Sequence, residues 1–394
     1  MDLRYTAAEQ AFREELRDWL ASVLPGVGEP PPQDDWPARR SYDLAWQRTL
    51  FDAGYAGVDW PSEGGGRGAA PVEQLIFKEE CERAGAPYVG VSFVGLLHAG
   101  PTIVAEGTPA QRERYLPPIL RGEEVWCQGF SEPDAGSDLA SLRTRAVRDG
   151  DDYVVTGSKI WTSHAEVADF CELLVRTGDE GNRGISWLIM PMDAPGIEMQ
   201  PLRTIAGTTE FAQLFLNDVR IPVANRVGEE NDGWRVTMVT LSFERGTAFV
   251  GELLECTRLL AELHATGTRL DLFAHDSSGL RHRLGSLQAA FDALWALTKR
   301  NVSEAAQTGV PGTGGSVFKL SFSEHAQALA DLAMEMLDQA ALCADPLTRQ
   351  GTPFGNAEQV HNWFKSINLT IAAGTSQVQR NIVAERILGL PRSR

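Results

Sequence analysis

Two short segments concentrate groups able to cradle a polar ligand. In S-E-P-D-A-G-S-D, Ser131–Asp138, a loop leaves an apolar run. Gly136 lets the backbone approach a bound molecule closely, and Ser131 and Ser137 offer hydroxyls. The next, G-S-K-I-W-T-S-H, Gly157–His164, brings a flat aromatic face at Trp161 beside the hydroxyls of Thr162 and Ser163. Taken alone, the pair also reads as a turn followed by a buried tryptophan. Two other glycine-rich stretches imitate nucleotide loops. Gly64, Gly66 and Ala69 satisfy G-x-G-x-x-A, but no strand–helix–strand unit surrounds them and VDWPSE before them reads as a loop. GVPGTGGS, Gly309–Ser316, follows a helical pattern and has Gly315 where a phosphate-binding lysine must stand. A redox enzyme built on this chain therefore needs a cofactor other than a nicotinamide.

The elements that must position these residues change character twice. Residues 6–123 read as helices. Thr6 and Glu9 form a T-x-x-E capping box ahead of Phe12, Leu16 and Trp19; Pro71 and Pro109 mark first helical turns, and Gly54 and Gly122 mark stops. Between about Val125 and Val223, VWCQGF, DDYVVTG, DFCELLVRT, GISWLIMPM and AQLFLNDVRI are short apolar or alternating runs broken by Gly, Asp, Asn and Pro, the signature of strands and tight turns. From about Asp232 the helical period returns and runs to Arg386, interrupted by Thr308–Ser316 and Ala344–Phe354. Helices, then strands, then helices is an α+β order. The expected fold is an N-terminal helical domain (1–123), a central β-sandwich or barrel (124–228) and a C-terminal four-helix bundle (229–394).

Composition narrows the partners. A formal net charge of −17 over 394 residues repels phosphate backbones and anionic bilayers, so neither nucleic acid nor a membrane surface is expected. Cys81, Cys127, Cys171, Cys256 and Cys343 are scattered, without C-x-x-C spacing, and read as reduced cytoplasmic thiols, mostly in cores. The N-terminus lacks the apolar stretch of a signal peptide, and no run of about 18 apolar residues offers a membrane span.

CQGFSEPDAGSDLASLRTRA (Cys127–Ala146), GSKIWTSHAEVADF (Gly157–Phe170) and AAGTSQVQRNIVAERILGLP (Ala372–Pro391) together closely resemble the signatures of the acyl-CoA dehydrogenase family, in the family's order and spacing. The resemblance covers essentially the whole chain. It implies α,β-dehydrogenation of an acyl-CoA thioester with FAD, electrons leaving to electron-transferring flavoprotein, and a homodimer, homotetramer or α2β2 assembly. By the same resemblance FAD is lined by Gln128–Ser137, including Phe130, Ser131, Gly136 and Ser137. Trp161 faces the isoalloxazine, Thr162 and Ser163 lie beside it with the Ser163 hydroxyl near N5, and Thr375 and Gln377 of G-T-S-Q contact the flavin. Arg281 opens R-H-R-L-G, similar to the family's R-x-x-F-G. Its fork-shaped guanidinium suits the FAD pyrophosphate of a neighbouring subunit, against the plainer reading of a solvated helix-end arginine. Gln339 matches a glutamine near the adenine, although ALCADP replaces the Gly-Gly turn that usually follows. Ser137, Arg245, Ala373 and Gly374 fall on the substrate side, and Glu385 stands where the family often has a CoA-binding arginine.

Desaturating a thioester means removing an α-proton while the β-hydrogen leaves as hydride to the flavin. The weakly acidic C–H needs a carboxylate close by in a dry site, with donors on the thioester carbonyl. The commonest family pattern places a glutamate immediately before the C-terminal G-T. Here that residue is Ala373, which cannot take a proton but keeps its backbone N–H for the carbonyl. Branched-chain, long-chain and several actinobacterial steroid side-chain members instead carry the base on a C-terminal-domain helix. LSFERGTAFVGELL, Leu241–Leu254, matches that helix and puts Glu244 at the base position. Otherwise Glu244 is a helix-surface acid paired with Arg245 or Arg235. Glu210 is a further acid, expected to be structural. The small Ala373–Gly374 wall favours branched, cyclic or steroid-derived acyl groups. Two other functions fit the same fold: a flavin monooxygenase or nitroalkane oxidase, disfavoured by Glu244, and a non-catalytic subunit of an α2β2 enzyme, disfavoured by intact flavin motifs. No metal is expected.

Overall fold

The computed structural model describes residues 5–32, 34–179, 181–244, 249–274, 279–308, 314–338 and 357–391. The chain starts on α1 (Ala7–Val23), whose capping box forms as its sequence requires: Glu9 Oε2 accepts from the Thr6 N–H at 2.6 Å while Thr6 Oγ1 accepts from the Glu9 N–H at 3.3 Å. Phe12, Leu16 and Leu20 form its buried stripe, with Trp19 partly buried beside them. α2 (Trp36–Asp52), α3 (Pro71–Arg83), α4 (Gly100–Glu106) and α5 (Pro109–Leu120) complete the N-terminal layer. Pro71 and Pro109 open their helices, and Gly54 and Gly122, at φ 74° and 64°, follow the ends of α2 and α5. The G-x-G-x-x-A stretch is a surface turn. A Cβ on Gly66 would lie 2.4 Å from Trp60 Cβ, so its glycine serves packing against Trp60. Of the second glycine-rich stretch, Gly314–Ser316 begin a C-terminal helix and the residues before them lie outside the described residues.

Eight strands follow: β1 (Trp126–Gly129), β2 (Arg145–Asp149), β3 (Asp152–Ser163), β4 (Phe170–Arg176), β5 (Ile185–Pro191), β6 (Ile197–Leu202), β7 (Phe211–Pro222) and β8 (Arg226–Val227). The sheet runs β6-β7-β3-β2-β4-β5-β8, with β1 parallel to β4. β2 meets β4 through one pair, Arg145 with Arg176; the ladders on either side are long. Two half-sheets thus share a seam and fold onto one core, in which Val155, Leu214 and Ile221 of one half pack with Cys171, Leu173 and Leu188 of the other. Alternation in β3 and β7 is what makes this possible, each strand turning one face inward.

α6 (Gly233–Glu244) leads from the sheet into the C-terminal helices and is tied to α4 by the hydroxyls of Thr240 and Thr102, 2.8 Å apart. α7 (Val250–Arg269), α8 (Leu280–Thr308), α9 (Gly314–Leu337) and α10 (Ala357–Leu369) pack as a bundle, much of whose core is Leu253, Leu263, Leu284, Phe291, Phe322 and Leu329. The short α11 (Ser376–Ile382) closes against α9. Cys127, Cys171 and Cys256 are buried free thiols and Cys81 is partly buried; Cys343 lies outside the described residues. Among the described residues no helix is long and apolar enough to cross a membrane, and no side-chain cluster suits a metal ion.

Candidate active site

The two ligand-cradling segments meet because a buried ion pair joins them. Lys159, on β3 and fully buried, donates to Glu132 Oε1 at 2.9 Å and to the Phe130 carbonyl at 3.1 Å. Glu132 also accepts from the backbone N–H groups of Arg143 and Thr144 at 2.7 and 2.8 Å. Burial pushes the Glu132 carboxyl up, but Lys159 and these donors outweigh it and hold it below the usual carboxylate range. For Lys159 burial wins over Glu132, and the ammonium is pulled below its ordinary value. A further backbone bond, Ile160 N–H to the Ser131 carbonyl at 2.9 Å, lays the loop along β3 one residue before Trp161. Glu132 and Ala135 exchange bonds of 2.9 and 3.0 Å, closing the turn that carries Gly136 and Ser137 outward. No atom of the chain lies within 4 Å of where a Gly136 Cβ would be, so the loop faces open space there.

β3 changes register against β7 between Lys159 and Thr162, and at that irregularity Trp161 takes φ 62°. Its ring is turned out, 56% exposed, with Phe211 edge-on at 5.8 Å. The buried-tryptophan reading of this segment is therefore wrong. A bulky residue in the left-handed region costs about 1–3 kcal/mol, and strain spent on exposing an aromatic face is characteristic of a binding surface. Thr162 is buried and its Oγ1 has no hydrogen-bond partner; Ser163 pairs in register with Phe211. Phe130 and Gln128 are less available than their place in the motif suggests. The Phe130 side chain belongs to the core, and the Gln128 amide points inward, donating to Glu172 Oε1 at 2.8 Å and lying 3.1 Å from His98 Nδ1.

Beyond Ser163, His164 takes φ 57° and its ring lies tilted against Trp36 at 5.0 Å. Its Nδ1 is buried without a partner, and burial, with Arg39 and Lys365 nearby, drops its pKa to about 4. It lines a shallow crevice with Trp36, Thr209, Glu210 and Phe211. Glu210 holds this corner, its carbonyl accepting the His164 N–H at 2.8 Å.

The C-terminal contribution is a turn between α10 and α11. Ala373 and Gly374 take φ 51° and 86°. Lys319 of α9 donates to the carbonyls of Gly374 and Leu369 at 2.7 and 2.9 Å, and Gln379 Nε2 to that of Ala373 at 2.9 Å. Burial lowers the Lys319 pKa to about 8. Thr375 caps α11, its Oγ1 accepting the Val378 N–H at 3.1 Å, so its hydroxyl proton can point elsewhere. Gln377 and Arg281 are exposed, Arg281 over the Phe273 ring at 5.3 Å. Glu385 lies in the last wide helical turn, Val383–Ile387.

Glu244 is the last residue of α6, and its side chain, like Arg245 and Gln339, lies outside the described residues. One alternative for it weakens nonetheless. All three guanidinium nitrogens of Arg235 are engaged, by Glu106 at 2.6 and 2.7 Å and by Asp232 at 2.7 Å, and Arg235 holds Glu106 below the usual carboxylate range. Sequence reasoning missed Glu132, Lys159, His98, Glu172, Lys319 and Gln379. Glu132, Lys159 and Glu172 carried a signal, each being a charged residue inside an otherwise apolar or turn-forming motif.

Comparison with known proteins agrees with this arrangement. Residues 6–123, 127–219 and 231–388 match the N-terminal, middle and C-terminal domain families of acyl-CoA dehydrogenases. The chain is 37% identical over 392 residues to the acyl-CoA dehydrogenase IpdE1 of Mycobacterium tuberculosis (strain ATCC 25618 / H37Rv), covering 97% of this chain and 98% of that protein. Among solved structures, the Tcur3481-Tcur3483 steroid ACAD superposes with a TM-score of 0.84 at 32% identity, and the ChsE4-ChsE5 complex from Mycobacterium tuberculosis with 0.80 at 36%, each over 100% of both chains. With its clamped loop, outturned tryptophan and helical frame, the chain belongs to the acyl-CoA dehydrogenase family, flavoprotein oxidoreductases acting on acyl-CoA thioesters.

Proposed function

We propose that this enzyme dehydrogenates a branched, cyclic or steroid-derived acyl-CoA to the 2-enoyl-CoA using FAD, with Glu244 as the base. The observation that carries the reading is the Lys159–Glu132 clamp, which sets an open glycine loop beside an exposed tryptophan. Those residues fit a flat, polar-edged cofactor: an aromatic face at Trp161, an unpartnered buried hydroxyl at Thr162 and empty space over Gly136. Ser131, Ser137, Ser163, Thr375 and Gln377 would add polar contacts, with the Phe130 and Gln128 backbone behind them. Arg281 would reach the pyrophosphate in a neighbouring chain, and Gln339 the adenine. Bound there, FAD supplies a two-electron acceptor.

The chain's own residues do the rest. Glu244 takes the α-proton on its carboxylate. The Ala373 N–H holds the thioester carbonyl, on a turn fastened by Lys319 and Gln379. Gly374 beside it keeps the wall small, and Arg245 and Ser137 flank the substrate. The three units 1–123, 124–228 and 229–394 would close around this site. The steroid assignment draws on the Tcur3481-Tcur3483 relative, and an α2β2 assembly on the two-chain nature of that protein and of ChsE4-ChsE5. Electrons would leave to electron-transferring flavoprotein in the cytoplasm. Anaerobic titration of the purified flavoprotein with short straight, branched, cyclic and steroid-side-chain acyl-CoAs tests the proposal. The visible flavin band should bleach with a bulky thioester; a band untouched by every thioester would refute it.

A further inference from the structure

A run of buried polar groups passes from the sheet through the N-terminal helices to α6, inside a core that includes Leu96, Ile103, Trp126 and Val236. It starts on β4, where buried Glu172 Oε1 accepts from the Gln128 amide of β1 at 2.8 Å. The same amide nitrogen lies 3.1 Å from Nδ1 of buried His98. His98 sits in a wide helical turn, Gly95–Ala99, that runs directly into α4. There the Gly100 N–H bonds to the Gly95 carbonyl, five residues back. The next such bond, from residue 101 to the Leu96 carbonyl, has no donor because residue 101 is proline. Trp60 Nε1 donates to that carbonyl instead, at 2.7 Å. The His98 carbonyl accepts the Thr102 hydroxyl at 2.7 Å, and Thr102 Oγ1 lies 2.8 Å from Thr240 Oγ1 of α6. With Thr102 donating to His98, Thr240 donates to Thr102. Both threonines are fully buried.

Burial alone does not require this contact. A helical threonine can return its proton to the carbonyl one turn back, as Thr237 does to Gly233 at 2.7 Å; for Thr240 the Val236 carbonyl stands at 3.2 Å. The cross-helix pair adds direction. Apolar contacts between α4 and α6 tolerate rotation, whereas a short hydroxyl pair is sensitive to it. The other polar anchor between these helices, Arg235 on Glu106, is half-exposed and lies near the start of α6. Thr240 lies one turn before the end of α6, and the last residue there is Glu244. Turning a helix by about 10° moves a side-chain tip by about 1 Å. A misplacement of that size can cost a reaction on the order of 10²-fold. We infer that Thr102 is a positioning residue: through Thr240 it fixes the rotation of α6 at the end that carries Glu244, and so governs the rate of α-proton removal. The inference rests on the reading of Glu244 as the base. His98 and Gln128 tie the same segment to β1, the strand that leads into the cofactor loop, so base helix and loop share one mount.

The test reads anaerobic flavin reduction by isobutanoyl-CoA and 3-cyclohexylpropanoyl-CoA, each with hydrogen and with deuterium on the α-carbon. Thr102→Val keeps shape and removes the hydroxyl; Thr102→Ser keeps the hydroxyl. Thr102→Val should lower the limiting rate by about ten- to a hundred-fold and raise the α-deuterium isotope effect. Flavin content and half-saturation should stay unchanged, and Thr102→Ser should recover most of the rate. Thr240→Val, which removes the partner on α6, should match Thr102→Val, and the two together should cost no more than either alone. In a Glu244→Gln background Thr102→Val should cost nothing further. A wild-type rate and isotope effect in both valine variants overturns the inference. So does an equal fold-loss with and without Glu244, which would make the hydroxyl pair a support for the fold alone. The base reading fails in a different way, by Glu244→Gln reducing flavin at the wild-type rate, and takes the inference with it. No reduction by either thioester in the wild type removes both.

Discussion

At the scale of residues the decisive position is Glu244. Glu244→Gln keeps shape and removes the proposed proton acceptor. Flavin and acyl-CoA should still bind while flavin reduction slows at least about 10³-fold, the size of a lost general base. Adding Ala373→Glu should restore part of the rate and shift preference toward straight chains, since the new side chain fills the small wall. Stopped-flow reduction of both variants decides this, and a single variant reducing at the wild-type rate sinks the assignment. His164 carries a second residue-scale expectation. Its folded pKa of about 4 lies below the ordinary 6.5, so the unfolded chain binds a proton that the folded chain refuses. Stability is therefore whole above about pH 6.5 and drains as pH falls toward 4, by about 3 kcal/mol at most. Urea midpoints measured across that window should fall steeply in the wild type and less in His164→Gln; parallel curves would remove the histidine as the cause.

At the scale of elements, two lysines fasten loops that the chemistry needs. Lys159→Met leaves Glu132 buried without its cation and should cost about 3–5 kcal/mol, with flavin lost on dilution. Lys159→Met combined with Glu132→Leu should recover stability while flavin affinity stays low, because the loop loses its fixed place. Calorimetric melting and flavin content separate the two effects, and full flavin retention in both variants would deny the clamp its role. Lys319→Met leaves the Gly374 and Leu369 carbonyls without this donor, at about 1–3 kcal/mol, and should slow flavin reduction without releasing flavin. An unchanged rate would mean the turn holds itself.

Much of this was legible beforehand. Capping boxes, helix-opening prolines and the switch from a period of 3.6 to one of 2 announce the layers, since those signals are local. The motifs at Ser131–Ser137 and Trp161 mark a loop and an aromatic residue, but not whether the tryptophan turns in or out, which the register change in β3 decides. What stayed hidden is non-local. Glu132 and Lys159 meet only once β1 and β3 come together, the Gln128 amide turns inward because Glu172 on β4 faces it, and Thr375 spends an oxygen on capping α11.

At the scale of the whole molecule, the proposal that Arg281 reaches the cofactor of a neighbouring chain predicts that one chain alone does not complete the site. Expressed alone, the protein should hold less than full flavin or form a dimer, and light scattering with absorbance at the flavin band reads both; a monodisperse monomer with one flavin per chain would contradict a shared site. The same scale gives the seam between β2 and β4 its meaning. The loop that follows β1 leaves one half-sheet and runs to β2 in the other, the half that also carries Trp161, while the ladder joining the halves is a single residue pair. Long ladders resist shear through many hydrogen bonds in parallel; a one-pair ladder does not. The β-domain is thus a two-leaved hinge whose rivet is the Lys159–Glu132 pair, and a flavin lying across both leaves would act as the bolt. Amide exchange should be slow within each leaf and quicken at the seam when flavin is removed, with both leaves loosening together once Lys159 is replaced.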